Sequence, residues 1–159
     1  MKFVIPDADQ MRAFGVHLAK QLRQGDYLVL NGQLGAGKTT FTQGLGQGLK
    51  VSGTVTSPTF VVSRIHKATG NNPELIHIDA YRLESPEQLM DLELEDHPNA
   101  VVVMEWGASF ISALTDDWLQ IDIERSSEIS QEDPSAGDRI VEITAFGDRW
   151  KDLDFSEWS

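Results

Sequence analysis

The segment "VLNGQLGAGKTTF", residues 29–41, sets an apolar run before a glycine-rich loop and then places Lys38, Thr39 and Thr40 where a helix should begin. Gly32 to Thr39 fits the pattern G-x-x-x-x-G-K-[ST], the phosphate-binding loop. Glycines let the backbone wrap closely around an anion with N–H groups turned inward. The start of the following helix adds further N–H groups and a positive dipole. Lys38 supplies a point charge for the β/γ-phosphates and Thr39 a hydroxyl for Mg2+. Strand, loop and helix in that order predict an α/β fold in which a nucleoside triphosphate rests on a helix N-terminus.

The flanking sequence fills in that fold. In "DADQMRAFGVHLAKQLRQGD" the apolar residues Met11, Phe14, Leu18 and Leu22 recur at helical spacing, with Asp7 or Asp9 as N-cap and Gly25 as stop. "DYLVLNG" reads as the strand that feeds the loop, and Thr39 to Leu49 as a helix weakened by Gly44, Gly46 and Gly48. Residues 60–79 read as a β-hairpin turned at "TGNNP". Ser85 and Pro86 open a short acidic helix through Leu94. "AVVVMEWG" has the continuous apolar run of a buried strand and ends on Glu105. "WLQIDIE" and "RIVEITAF" alternate as strands and are expected to pair as an edge hairpin around the acidic loop 125–138. The expectation is one P-loop NTPase-like domain over residues 1–159: a mixed parallel and antiparallel sheet flanked by helices. Residues 146–159 form a C-terminal tail, frayed or packed.

Charge and composition narrow the function. Thirteen Lys and Arg against 25 Asp and Glu give a net charge of −12, which disfavours direct binding of a polyanion such as tRNA or DNA. The absence of cysteine excludes disulfides and thiolate metal sites. No apolar stretch approaches the ~20 residues of a membrane span, and no signal-type run opens the chain. A soluble, cytoplasmic protein with no membrane association is expected.

A P-loop also needs a carboxylate at a strand end to hold Mg2+ or its water. Two strands offer one: "LIHID" at Asp79 and "VVVME" at Glu105. The second run is the more continuously apolar, as a central strand should be, which assigns Glu105 to Mg2+. Asp79 is left either a contact through water or activation of the attacking water. His77 and Asp79 share one strand face and could join His66 across the hairpin as metal ligands. No third ligand is evident, and a hydrogen-bonded packing histidine is the commoner case. Thr59 in "SPTF" reads either as a γ-phosphate-sensing hydroxyl or as an ordinary loop threonine. Arg82 could reach a phosphate or pair with Glu84. Trp106 would be carried to the edge of the nucleotide by Glu105, or else belongs to the core.

Together, "GQLGAGKTT", "SPTF", "HIDAYRL" and "VVVMEWG", in this order and in so short a chain, resemble the TsaE (YjeE) family over residues 5–125. The resemblance implies an ATPase of tRNA threonylcarbamoyladenosine modification that hydrolyses ATP weakly alone and usefully with its partners TsaD and TsaB. It would meet tRNA only through those partners. It further implies that Gly35, Ala36, Gly37, Lys38, Thr39 and Thr40 bind the phosphates of ATP. Thr39 and Glu105 would hold Mg2+, and Asp79 and Trp106 match further functional positions. Catalysis would then rest on Lys38, Asp79 and Glu105. A residue around Asp9, at the start of the first helix, would approach adenine.

Two other functions fit a P-loop. A small-molecule kinase usually needs several arginines over the transferred phosphoryl group, whereas the seven here are scattered. A nucleotide-binding scaffold without hydrolysis is the non-enzyme alternative. A GTPase is disfavoured because no N-K-x-D motif occurs.

Overall fold

The computed structural model describes every residue except 34, 54, 56–62, 82, 86, 91, 93, 127–136 and 159. Its strands are β1 (Lys2–Ile5), β2 (Tyr27–Asn31), β3 (Ser63–His66), β4 (Leu75–Asp79), β5 (Val101–Glu105), β6 (Trp118–Arg125) and β7 (Arg139–Phe146). Its helices are α1 (Ala8–Ala19), α2 (Lys38–Leu49) and the single turn α3 (Glu87–Met90). The strands make one mixed sheet in the order β1-β7-β6-β2-β5-β4-β3. The pairs β4/β5, β5/β2 and β2/β6 are parallel, and β3/β4, β6/β7 and β1/β7 are antiparallel. The seven strands and flanking helices are the mixed α/β arrangement that the P-loop demanded.

The two halves of the sheet differ because their sequences do. β5 is buried at every residue and β4 at all but Asp79, as parallel strands covered on both faces should be. On one face α1 and α2 set Phe14, Leu18, Phe41 and Leu45 against Leu28, Leu30, Val101 and Val103. On the other, Leu89 closes over Ile76, Ile78, Val102 and Met104, with Phe110 and Leu114 beside them. β6 and β7 alternate instead, and Leu119, Ile121, Ile123, Val141 and Ile143 belong to the α1/α2 side of the core.

Register sets the site. Glu105 of β5 lies level with Leu30 of β2 on one side and with Asp79 of β4 on the other. Both carboxylates and the mouth of the P-loop therefore share one rung at the C-terminal ends of the parallel strands, where open α/β sheets bind ligands.

Three local expectations change. α1 ends at Ala19 with Lys20 as its cap, short of the expected stop at Gly25. The β6/β7 hairpin is not the edge: β2 pairs with β6, and β1 takes the outer place beside β7. β1 has only four residues before Pro6 and carries little signal on its own. The glycines of α2 leave the helix unbroken to Leu49. They allow α1 to approach: a Cβ on Gly44 would run into the carbonyl oxygen of Arg12, and one on Gly48 into Ala19 and the carbonyl oxygen of Val16. The acidic helix from Ser85 is a single turn, with a 3-10 turn at Leu94–Asp96.

The final segment packs on α1. Trp150 and Phe155 are buried, and Phe155 stacks on Phe14 with ring centroids 5.3 Å apart. Arg149 holds Asp26 through Nε–Oδ1 and Nη2–Oδ2 hydrogen bonds of 3.0 and 2.8 Å and also donates to the Gln21 carbonyl.

Candidate functional site

α1 starts at a side-chain cap in which Asp7 Oδ1 accepts the Gln10 N–H at 2.8 Å. α2 starts differently. Gly37 precedes it at φ 112° with no side-chain cap, and Gly35 stands at φ 80°; both angles favour glycine. Among the described residues the first-turn N–H groups of Lys38, Thr39 and Thr40 have no partner, which leaves them open to an anion, as phosphate binding requires.

Lys38 leads from that turn to the strand ends. Its Nζ lies 3.2 Å from Glu105 Oε1, while His77 Nε2 lies 2.7 Å from Glu105 Oε2. All three side chains are largely buried, His77 entirely. Burial by itself would raise the Glu105 carboxyl; the hydrogen bond and charge of His77, with the Lys38 ammonium, outweigh it and hold the group below the usual carboxylate range. Glu105 is therefore an ionised oxygen donor close to the phosphate loop. A threonine hydroxyl and a carboxylate are hard oxygen ligands, so Thr39 and Glu105 fit Mg2+, and the open helix start fits the phosphates that would share the ion.

Trp106 follows at φ 61°, a left-handed conformation rare outside glycine, and its N–H donates to the Leu30 carbonyl at 3.1 Å. The turn puts the indole under Lys38, whose Nζ is 4.7 Å from the ring centroid, a cation–π contact. The ring is 39% exposed, so this is a tryptophan at the site's surface and not a core residue. Exposed Tyr81 meets it edge-on at 6.1 Å. Asp79 turns toward its own chain, where Oδ1 accepts the Tyr81 N–H at 3.0 Å.

The loop is flanked by two cavities. One, of about 400 Å³, is lined by Asn31, Gln33, Trp106, Asp122 and Arg125. The other, of about 140 Å³, lies between α1 and α2 and is lined by Asp7, Ala8, Met11, Thr40 and Arg139. Asp9 is outside it, with an exposed carboxylate bonded by Arg12 Nη1 at 3.1 Å. Thr59 and Arg82 lie outside the described residues.

Arg139 and His77 gain roles that sequence reasoning did not assign. The Arg139 guanidinium is buried and donates to the carbonyls of Ala36 and Gly35, at 3.1 and 3.4 Å, which braces the phosphate loop from behind. Its signal was there to find: Arg139 shares the face of Val141 and Ile143, a charge where the alternation calls for an apolar residue. His77 is the hydrogen-bonded packing histidine that the sequence favoured over a metal ligand beside His66, and its partner is Glu105. Among the described residues no group of three or more His, Cys, Asp or Glu is placed to hold a metal ion. None of the described helices is long and apolar enough to cross a membrane.

Comparison with known proteins adds a second line. The family model for "Threonylcarbamoyl adenosine biosynthesis protein TsaE" matches residues 5–133. The tRNA threonylcarbamoyladenosine biosynthesis protein TsaE of Streptomyces coelicolor is 45% identical over 148 residues, covering 92% of this chain and 97% of that protein. The protein of the same name from Bacillus subtilis is 33% identical, covering 96% and 90%. A crystal structure of Bacillus subtilis YdiB superposes with a TM-score of 0.69 at 29% identity, covering 95% of this chain and 88% of the other.

Proposed function

The chain belongs to the TsaE family of threonylcarbamoyl adenosine biosynthesis proteins, and from that premise we propose that it is a Mg2+-dependent ATPase acting with TsaD and TsaB in the modification of tRNA. The observation that carries the reading is the meeting of Lys38 with Glu105 at the open start of α2, because it joins a phosphate-binding cation to an ionised carboxylate suited to Mg2+.

In this reading residues 1–159 work as one domain. Gly35, Ala36, Gly37, Lys38, Thr39 and Thr40 cradle the phosphates through their N–H groups, that of Ala36 by leaving the Gln33 carbonyl to which it donates at 3.0 Å, and Lys38 neutralises them. Thr39 and Glu105 hold the cation, which when bound offsets the charge that develops between the β- and γ-phosphates. Asp79, level with Glu105, accepts a proton from the attacking water. Trp106 covers Lys38 at the edge of the nucleotide. The base enters the small cavity at the start of α1, where Asp7 and Ala8 line the wall and Asp9 is the neighbouring carboxylate. A chain of charge −12 meets tRNA through its partners and not directly. Its place of work is the cytoplasm.

The test is phosphate release from ATP by the purified protein, alone and with TsaD and TsaB. We expect slow Mg2+-dependent release that rises with the partners and falls by about a hundredfold in Lys38→Ala or Glu105→Ala. Release indifferent to Glu105→Ala would remove that residue from the site. Fully modified tRNA in cells depleted of this protein would remove it from the pathway.

A further inference from the structure

Glu105 has two carboxylate oxygens and a different partner on each: Lys38 Nζ on Oε1 at 3.2 Å, His77 Nε2 on Oε2 at 2.7 Å. The partners differ in freedom. Lys38 is carried on a flexible four-carbon stem at the first position of α2, so it can turn to an anion and release Oε1. His77 is wholly buried on β4 and has no such alternative. An ionised carboxylate only accepts, so Nε2 carries the proton and donates it. Nδ1 is buried with no hydrogen-bond partner among the described residues, which leaves the Glu105 bond as the polar contact that orients the ring.

We propose that His77 is a positioning residue for the cation site: by holding Oε2 it fixes the Glu105 carboxylate so that Oε1 alone is offered to Mg2+ or to one of its waters. This rests on the reading of Glu105 as a cation ligand. Ligating carboxylates are themselves held by hydrogen bonds, and removing such a partner typically lowers metal affinity about 10–100-fold. A strand-end glutamate freed from His77 would also regain rotamers that binding must then freeze.

The experiment is calorimetric titration of the full chain with a non-hydrolysable ATP analogue, once in Mg2+ and once in EDTA. The ratio of the two affinities is the coupling between nucleotide and ion. In His77→Leu that ratio is expected to fall about tenfold or more while the affinity in EDTA stays within about twofold. His77→Gln, whose amide N–H reaches as far as Nε2, restores most of the ratio. His77→Asn, which reaches only as far as Nδ1, does not. A ratio at the wild-type value in all three variants overturns the proposal, whatever their melting temperatures. If His77→Leu does not fold, the Gln and Asn variants decide it between them. Glu105→Gln separates this proposal from its premise. An unchanged ratio in that variant brings down the cation assignment itself, whereas a ratio lost there but kept in the His77 variants brings down the role of His77 alone.

Discussion

Lys38 Nζ and Glu105 Oε1 are each other's counter-ion, 3.2 Å apart beneath the phosphate loop. The cation proposed for phosphate and the carboxylate proposed for the metal thus neutralise one another, and nucleotide binding as proposed would have to exchange that pair for two new ones. Glu105→Gln should therefore free Lys38 and tighten binding of ATP in EDTA by about tenfold, the scale of one charge-assisted hydrogen bond. Calorimetry in the absence of divalent ions measures it. Weaker binding would mean that Glu105 holds Lys38 ready for phosphate instead of competing with it.

The α1/α2 contact makes a prediction opposite to helix propensity. Alanine favours a helix interior over glycine by about 1 kcal/mol. Yet Gly44→Ala sets a Cβ against the backbone oxygen of Arg12, which cannot turn aside as a side chain would. We expect a net loss of about 1–3 kcal/mol, read as a lower thermal midpoint. A higher midpoint would show that α1 can shift to make room.

Arg149 and Asp26 form a two-point ion pair with both side chains largely buried, 17% and 7% exposed. Arg149→Ala leaves the Asp26 carboxylate buried and should cost about 3–5 kcal/mol in denaturant unfolding. Replacing both residues by apolar ones of similar size should cost less than Arg149→Ala alone. Equal costs would mean that the loss comes from packing and not from the stranded charge.

His66 governs a pH dependence. Burial, with the charges of His77 and Arg64 adding to it, lowers its pKa from the ordinary 6.5. Below that value the unfolded chain takes up the proton more readily than the folded one, so the stability that His66 contributes is complete above 6.5 and is lost as the pH falls toward the folded value. The drop in thermal midpoint between about pH 7.5 and pH 5.5 should shrink in His66→Gln. An unchanged drop would assign the dependence to other groups.

What the sequence disclosed depended on distance along the chain. The P-loop, its strand and its helix are contiguous, and their order was readable residue by residue. Glu105 was legible because a continuous apolar strand ends on it. The bond between His77 and Glu105 spans 28 positions, and that between Arg139 and the Ala36 carbonyl spans 103. Neither has a local pattern, although the misplaced charge of Arg139 on an apolar face was visible. β1 escaped notice because a four-residue strand is defined by its partner, β7, at the far end of the chain. The use of the α2 glycines was hidden for a related reason: propensity describes an isolated helix, and here the deciding contact is with α1. Phe155 and Trp158 follow no period, since the rings they meet belong to β1 and α1 at the other end of the chain.

The shared rung of Leu30, Glu105 and Asp79 bears on how such a chain can vary. Side chains alternate along a strand, so one residue inserted within β4 or β5 would turn Asp79 or Glu105 to the α3 side of the sheet, away from the phosphate loop. Additional residues in the connections between strands would leave the rung where it is. Sequence length should therefore drift in the joins and stay constant within these strands, with the spacing from His77 to Asp79 more tightly kept than that from Asp79 to Glu105.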